Sequence, residues 1–113
     1  MLNTSPSEIF FTSGGTEADN TAIIGCINAY DIKHIITTKI EHKAVGITAE
    51  KLEAAGRVKV SYVELDDQGH LNHDHLEHLL KTNSRSLISV MHANNEIGTL
   101  NDIGRIGDLG AAY

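Results

Sequence analysis

Short apolar segments alternate with segments of helical periodicity along this chain, and the alternation limits the folds that it can adopt. Each apolar segment has the length of a strand and is followed after a few residues by a helical pattern. Strict β-α alternation with short connections is typical of a parallel sheet covered by helices. The sequence therefore predicts an α/β fold, a three-layer sandwich with a mainly parallel sheet, whose strands are Glu8–Thr12, Lys33–Thr38, Val58–Leu65 and Ser86–Met91.

Capping residues and periodic apolar positions locate the helices between these strands. Gly56 ends the second helix, while Asn72 and Asp102 cap the third and fourth. Since Ser86–Met91 is the most apolar strand, we expect it to lie in the centre of the sheet. The predicted helices are Thr16–Tyr30, Glu41–Ala55, Asn72–Leu80 and Ile103–Ala112; their inward positions include Ala18, Ala22, Ile23 and Ile27 in the first, and Leu76, Leu79 and Leu80 in the third.

Size and charge restrict the class of protein further. The 113 residues suit one domain, and a net charge of −6 argues against nucleic acid as the main partner. No apolar run is long enough for a membrane span, and the N-terminal sequence MLNTSPSE has no signal-peptide pattern. Cys26 is the single cysteine, which excludes an internal disulfide. We expect a cytoplasmic protein without nucleic-acid or membrane partners.

The glycine turn after the first predicted strand is a candidate anion site. Gly14 and Gly15 allow close approach to the backbone, and the following helix directs unpaired N–H groups and a positive dipole end at one point. The hydroxyls of Ser13 and Thr16 are expected to add donors, and a phosphate is the usual guest. An ordinary βα turn that needs glycine and a helix cap explains the same residues equally well.

Two further polar clusters follow predicted strands, and parallel sheets bind ligands at the carboxyl ends of their strands. One cluster, Thr38–His42, places His42 just inside a helix start, where a neutral imidazole is favoured and could stack on a cofactor or exchange protons; a surface histidine is the alternative. The other, His92–Gly98, contains Asn94 and Asn95. We expect one asparagine to support the loop and the other to face a ligand.

Two other features are interpreted as structural. The stretch HLNHDHLEH contains His70, His73, His75 and His78, but no cysteine accompanies them and they precede a strand, so a solvated helix is favoured over a metal site. Cys26 is read as a small buried apolar residue because nothing in the sequence around it would activate a thiolate.

Three motifs together resemble the NifS/IscS-type cysteine desulfurases of the class V aminotransferase family, which are pyridoxal 5′-phosphate (PLP) enzymes of fold type I. The motifs are FFTSGGTEADNTAI, TTKIEHKAV and SVMHANNEIGT with the following NDI, in the order of the family and at nearly its spacing. The resemblance covers essentially all 113 residues and implies part of the large, PLP-binding domain.

The resemblance also implies roles for particular residues. Gly15 and Thr16 would bind the PLP phosphate, His42 would stack on the pyridine ring and assist proton transfers, and Asn95 would hydrogen-bond the ring oxygen. The implied reaction converts L-cysteine to L-alanine and leaves sulfur as a persulfide on an enzyme cysteine, for iron–sulfur cluster or thio-cofactor assembly. The implied partners are a second subunit in a homodimer and a sulfur-acceptor or scaffold protein.

Parts of the family pattern have no counterpart in this sequence. Lys39 and Lys43 do not match the Schiff-base lysine motif, Cys26 does not match the nucleophilic cysteine, and Asn101 stands where the family usually has glutamine. We therefore expect residues 1–113 to be one partial domain, truncated at both ends and inactive alone. A non-catalytic phosphate-binding or oligomerising module derived from such an enzyme is the alternative, and an unrelated phosphate-binding α/β domain is a third.

Overall fold

The computed structural model describes residues 3–113, so Met1 and Leu2, which belong to the predicted polar N-terminus, lie outside the described residues. Strands and helices alternate after a short 3-10 helix at Pro6–Glu8. The strands are β1 (His34–Thr37), β2 (Lys59–Tyr62) and β3 (Ser86–Ile88), and the helices are α1 (Gly15–Tyr30), α2 (Lys43–Ala54), α3 (His73–Thr82) and α4 (Ile103–Ala112).

The three strands form one parallel sheet in the order β2-β1-β3. All four residues of β1 are buried, whereas β3 is half-buried throughout. The prediction that Ser86–Met91 is central is therefore wrong for the described chain, in which β1 takes that place. A strand becomes central by pairing on both sides, and β3 pairs only with β1 among the described residues, whatever its hydropathy.

The predicted strand Glu8–Thr12 does not form. Ile9 has extended backbone angles, with φ −104° and ψ 125°, but no strand among the described residues pairs with this segment. Phe10 and Phe11 are consequently 84% and 97% exposed. Strand propensity alone does not supply the partner that a β-ladder requires.

Side chains from the sheet pack into helices on both faces, which confirms the predicted three-layer α/β arrangement. Ile35 contacts the α1 and α2 side, and its neighbour Ile36 contacts the α3 and α4 side, as the alternation of a strand requires. Ala22 was expected to face the core but is exposed on α1. The buried helix residues are Ile23 and Ile27 in α1, Val45, Ala49 and Leu52 in α2, Leu76 and Leu80 in α3, and Ile106 in α4.

Helix ends follow the predicted caps closely. Asn72 Oδ1 accepts from the backbone N–H groups of Asp74 and His75, each at 3.1 Å, and Asp102 Oδ1 accepts from Arg105 N at 3.1 Å. Gly56 has a φ of +67°, the left-handed conformation expected of a glycine after a helix. These caps fix where α2 ends and where α3 and α4 begin.

Candidate functional site

The N-terminus of α1 presents unpaired backbone donors. Gly14 is the N-cap, and the N–H groups of Gly15, Thr16 and Glu17 donate no hydrogen bond to any described residue. A Cβ built on Gly14 or Gly15 meets nothing within 4 Å, so this turn is open to solvent. The helix start could therefore receive an anion through backbone N–H groups.

Ser13 is engaged elsewhere and does not complete this anion site as the sequence predicts. Its backbone N–H and its hydroxyl both donate to Glu17 Oε2, at 2.8 and 2.5 Å. These hydrogen bonds, that of the hydroxyl first, hold the pKa of the Glu17 carboxyl below its ordinary value. The donors that remain free at the turn are thus the backbone N–H groups of Gly15, Thr16 and Glu17 and the Thr16 hydroxyl.

His42 lies between β1 and α2 as the N-cap of α2. The sequence places it just inside the helix, but the first helical residue is Lys43. His42 Nδ1 accepts from Ala44 N at 3.1 Å, and an accepting Nδ1 puts the proton of a neutral ring on Nε2. The ring is exposed, so its face and its Nε2 are available to a ligand.

One of the two asparagines after β3 supports the loop, as the sequence predicts. Asn94 is buried: its Oδ1 accepts from Glu96 N at 2.9 Å and Ile97 N at 3.1 Å, and its Nδ2 donates to Ile40 O at 2.9 Å. Asn95 is exposed, and its side chain bonds to none of the described residues. Asn94 therefore shapes the loop, and the ligand-facing role of Asn95 stays a prediction.

His42 and Asn95 line the same cavity of about 520 Å³ at the carboxyl ends of β1 and β3. Two of the three predicted polar clusters, Thr38–His42 and His92–Gly98, thus come together. Gly15 and Thr16 do not line this cavity. They lie in the first turn of α1, and the same helix brings Asp19 close enough for its negative charge to act on Glu41 of the cavity wall.

Glu41 is a cavity residue that sequence reasoning missed. Its Oε1 accepts from Thr38 Oγ1 at 2.6 Å and from Met91 N at 3.0 Å. Burial, as the main cause, raises the pKa of the Glu41 carboxyl above its ordinary value, and the two hydrogen bonds partly oppose this. Its place inside the predicted cluster Thr38–His42 was the only signal in the sequence, because its partner Met91 is 50 positions away.

Asn101 is a second polar residue whose role depends on distant partners. Its Oδ1 accepts from Leu71 N at 3.1 Å and its Nδ2 donates to Met91 O at 2.9 Å. The side chain is 8% exposed, so this departure from the usual family residue forms an internal bridge. It joins the backbone before α3, at Leu71, to the backbone after β3, at Met91.

The histidine-rich segment makes local contacts. His75 Nδ1 accepts from Glu64 N at 2.9 Å, and His70 Nδ1 lies 3.1 Å from Asp66 Oδ2. In residues 3–113, no group of three or more His, Cys, Asp or Glu side chains is placed to hold a metal ion. Cys26 is half-buried against the α1–α2 side of the core, as its apolar interpretation predicts.

No helix in the described part of the chain combines the length and apolar character needed to cross a bilayer.

The fold and the cavity define a three-layer α/β protein with a candidate ligand site at the carboxyl ends of parallel strands. The sequence model of the class-V aminotransferases matches residues 1–113. The chain therefore belongs to the class-V aminotransferase family, whose members depend on PLP.

Individual relatives show which members of the family this chain is similar to. The cysteine desulfurase IscS of Stutzerimonas stutzeri (strain A1501) is 50% identical over 111 residues, which cover 96% of this chain and 27% of that protein. A solved NifS-like protein superposes with a TM-score of 0.88 and 39% identity, over 96% of this chain and 30% of its own. The structure of SspA in complex with cysteine superposes with a TM-score of 0.89 and 34% identity, over 98% of this chain and 32% of the SspA chain. The chain thus spans about 27% of the length of its curated relative.

Proposed function

We propose that this chain forms the phosphate- and ring-binding part of a PLP-dependent cysteine desulfurase. The observation that carries the proposal is the cavity that His42 and Asn95 share at the carboxyl ends of β1 and β3. The unpaired first N–H groups of α1 add a separate anion site. The proposal assigns residues 1–113, which match the class-V family, to the N-terminal part of its large, PLP-binding domain.

The residues present suit the chemical groups of PLP. Unpaired N–H groups and the Thr16 hydroxyl suit a dianionic phosphate, since a helix start favours negative charge. The exposed His42 ring suits a flat pyridine, and the free Asn95 amide can donate to a ring oxygen. When bound, PLP supplies an electron sink for chemistry at an amino-acid substrate.

Each residue then has a distinct task in the proposed site. Gly15 and Thr16 anchor the phosphate, and Asn95 orients the ring through its oxygen. His42 covers one face of the ring, and its Nε2 is free to hold or move a proton because Nδ1 is bonded to Ala44 N. The Nδ1 bond fixes the orientation of the imidazole.

The proposed substrate is L-cysteine, converted to L-alanine while its sulfur passes to an enzyme cysteine. Since Lys39, Lys43 and Cys26 do not match the family's lysine and nucleophile motifs, those groups would come from sequence beyond residues 1–113. A homodimeric enzyme, a sulfur-acceptor or scaffold partner and iron–sulfur cluster assembly belong to the same proposal. So does a cytoplasmic location, because a persulfide-forming thiol needs a reducing compartment.

Ligand titration tests the phosphate site directly. PLP is expected to bind the chain more tightly than pyridoxal, which lacks the phosphate, and Thr16→Ala is expected to weaken PLP binding about tenfold by removing a charged hydrogen bond. Thr21→Ala, an exposed threonine further along α1, is the matched control. Isothermal titration calorimetry measures all four affinities. Equal affinity for PLP and pyridoxal would refute the phosphate site, and an unchanged Thr16→Ala would remove Thr16 from it.

A non-catalytic oligomerising module is the second candidate, and the exposed Phe10 and Phe11 favour it. The preference for PLP over pyridoxal separates the candidates, because a module that only oligomerises needs no phosphate site. A Schiff-base band in the absorbance spectrum requires a lysine in position. Thermal stabilisation by PLP without such a band, together with no release of alanine from L-cysteine, is the result expected of residues 1–113 alone. Alanine release by this chain alone would overturn its assignment as a part of the enzyme.

A further inference from the structure

Two loops carry the proposed ring-binding residues, and two hydrogen bonds join the loops beside them. Asn94 Nδ2 donates to the carbonyl of Ile40, and Met91 N donates to Glu41 Oε1. Ile40 and Glu41 directly precede His42, and Asn94 directly precedes Asn95. These two hydrogen bonds therefore lie next to His42 and Asn95. The distance between His42 and Asn95 determines whether a flat ring can contact both.

We propose that Glu41 is a positioning residue, which holds the loop carrying His42 at a fixed distance from the loop carrying Asn95. The proposal rests on the PLP site proposed above and goes beyond it by giving a task to a side chain that does not touch the ligand in that site.

The geometry around Glu41 supports a fixed position. One oxygen, Oε1, accepts both from Thr38 within its own loop and from Met91 of the other loop. Thr38 is only 2% exposed, and its 2.6 Å bond is in the short range of hydroxyl–carboxylate hydrogen bonds. The bond to Thr38 thus fixes the carboxylate within its own loop, and the bond to Met91 connects it to the other loop.

The far end of this tie is also anchored. Met91 donates its N–H to Glu41 and accepts at its carbonyl from Asn101 Nδ2. Both polar groups of the residue that leads into the Asn95 loop are therefore bonded. Glu41 is therefore held between Thr38 on one side and Met91, itself fixed by Asn101, on the other.

The cost of the arrangement argues against an incidental contact. The Glu41 carboxyl is half-buried and feels the negative charge of Asp19, and both effects favour its neutral form. A glutamine carbonyl could accept the same two hydrogen bonds without burying a charge. This makes glutamine a conservative variant that separates the hydrogen bonds from the charge.

The first part of the test needs no ligand. Nuclear magnetic resonance of the 113-residue chain reports the exchange of the Met91 amide and the signals of the His42 ring and the Asn95 side chain. Glu41→Ala is expected to speed Met91 exchange at least tenfold and to move both signals, while Glu41→Gln restores them. Glu50→Ala, which removes an exposed carboxylate from α2, is the charge-matched control and leaves them unchanged.

The second part measures PLP affinity in the same variants. Glu41→Ala is expected to bind PLP about tenfold more weakly, with rescue by Glu41→Gln. Leu79→Ala, on α3 at the opposite face of the sheet, lowers stability without moving the His42 and Asn95 signals and so separates positioning from general destabilisation. If Glu41→Ala does not fold, Glu41→Asp, whose shorter side chain cannot bridge both partners, is expected to show the same losses.

The two parts separate the two proposals. Unchanged Met91 exchange and unchanged His42 and Asn95 signals in Glu41→Ala or Glu41→Asp would overturn the positioning role, whatever the PLP result. Altered signals with unaltered PLP affinity would also overturn it, because the fixed distance would then serve no ligand. Failure of the unsubstituted chain to prefer PLP over pyridoxal would reject the phosphate site, while the ligand-free measurements still decide whether Glu41 holds the loops.

Discussion

Single buried amides connect the loops of this protein, and Asn101 joins two of them through both polar atoms of its side chain. Its side chain satisfies a backbone N–H before α3 and a backbone carbonyl after β3. Asn101→Ala leaves both groups without a partner in a buried position, which is expected to lower the free energy of unfolding by about 2 kcal/mol. Urea denaturation measures this loss. The m-value, which is the slope of the free energy of unfolding against urea concentration, is expected to stay unchanged.

Asn95 provides the matched control for Asn101 in the same loop. It is exposed and its side chain bonds to none of the described residues, so Asn95→Ala is expected to change stability by no more than about 0.5 kcal/mol. Equal losses in the two variants would contradict the bridging role of Asn101. A large loss in Asn95→Ala alone would place the structural asparagine at position 95.

Residues with local partners are predictable from sequence, and those with distant partners are not. Asn72, Asp102 and Gly56 act on backbone groups within three residues or on their own backbone angles, so their caps are confirmed. Glu41 and Asn101 depend on groups 50 and 30 positions away. No local pattern contains those partners, and only the folded chain reveals their roles.

At the scale of the sheet, His34 connects all three strands through its side chain. From β1, its Nδ1 lies 2.7 Å from Ser86 Oγ of β3 and its Nε2 lies 2.8 Å from Ser61 Oγ of β2. Burial, followed by the positive charge of Lys59, holds the pKa of His34 below its ordinary value of 6.5. The folded sheet therefore favours the neutral ring.

This preference predicts a pH dependence of stability. Below pH 6.5 the unfolded chain binds a proton at His34 before the folded chain does, so the free energy of unfolding is full above this pH and falls as the pH decreases. The loss accrues at about 1.4 kcal/mol per pH unit until the folded pKa is reached. Chemical denaturation between pH 7.5 and about 5 measures it.

Two variants isolate the contribution of His34 from other titrating groups. His34→Gln keeps a polar side chain but has no group that gains a proton in this range. The difference in free energy of unfolding between this variant and the unsubstituted chain is therefore expected to shrink as the pH falls. His78→Gln, on the exposed side of α3, is expected to keep the original profile. A His34→Gln profile parallel to that of the unsubstituted chain would exclude His34 as the source.

Strand length and position were the least predictable features at this scale. The hydrophobic pattern located β1 and β2 within a few residues of their observed bounds. It could not rank β1 against β3, because centrality depends on neighbours and not on the strand itself. The same reason explains why Glu8–Thr12 has the composition of a strand without forming one.

At the scale of the whole molecule, the sheet has an unpaired strand at each edge among the described residues, and the segment before α1 is uncovered. The extended segment before α1 exposes Phe10 and Phe11, and the outer edge of β3 pairs with no other strand in residues 3–113. Unpaired edges and contiguous exposed aromatic residues both favour association with other chains. The alternation of strands and helices predicted the layers, and a partial domain is expected to leave the segment Glu8–Thr12 unpaired and apolar surface uncovered, as observed.

We therefore expect the 113-residue chain to self-associate at micromolar concentration, as measured by sedimentation velocity. Its net charge of −6 repels like copies, so added salt is expected to strengthen the association by screening that repulsion. The double variant Phe10→Ser/Phe11→Ser is expected to shift the chain towards monomer, whereas Tyr30→Ser, at an aromatic residue that is 66% exposed elsewhere, is expected to leave it unchanged. A chain that stays monomeric at all salt concentrations would contradict this expectation. Association that survives the double variant would instead indicate a contact at an open edge of the sheet, that of β2 or β3, because no side chain is needed there to pair a backbone ladder.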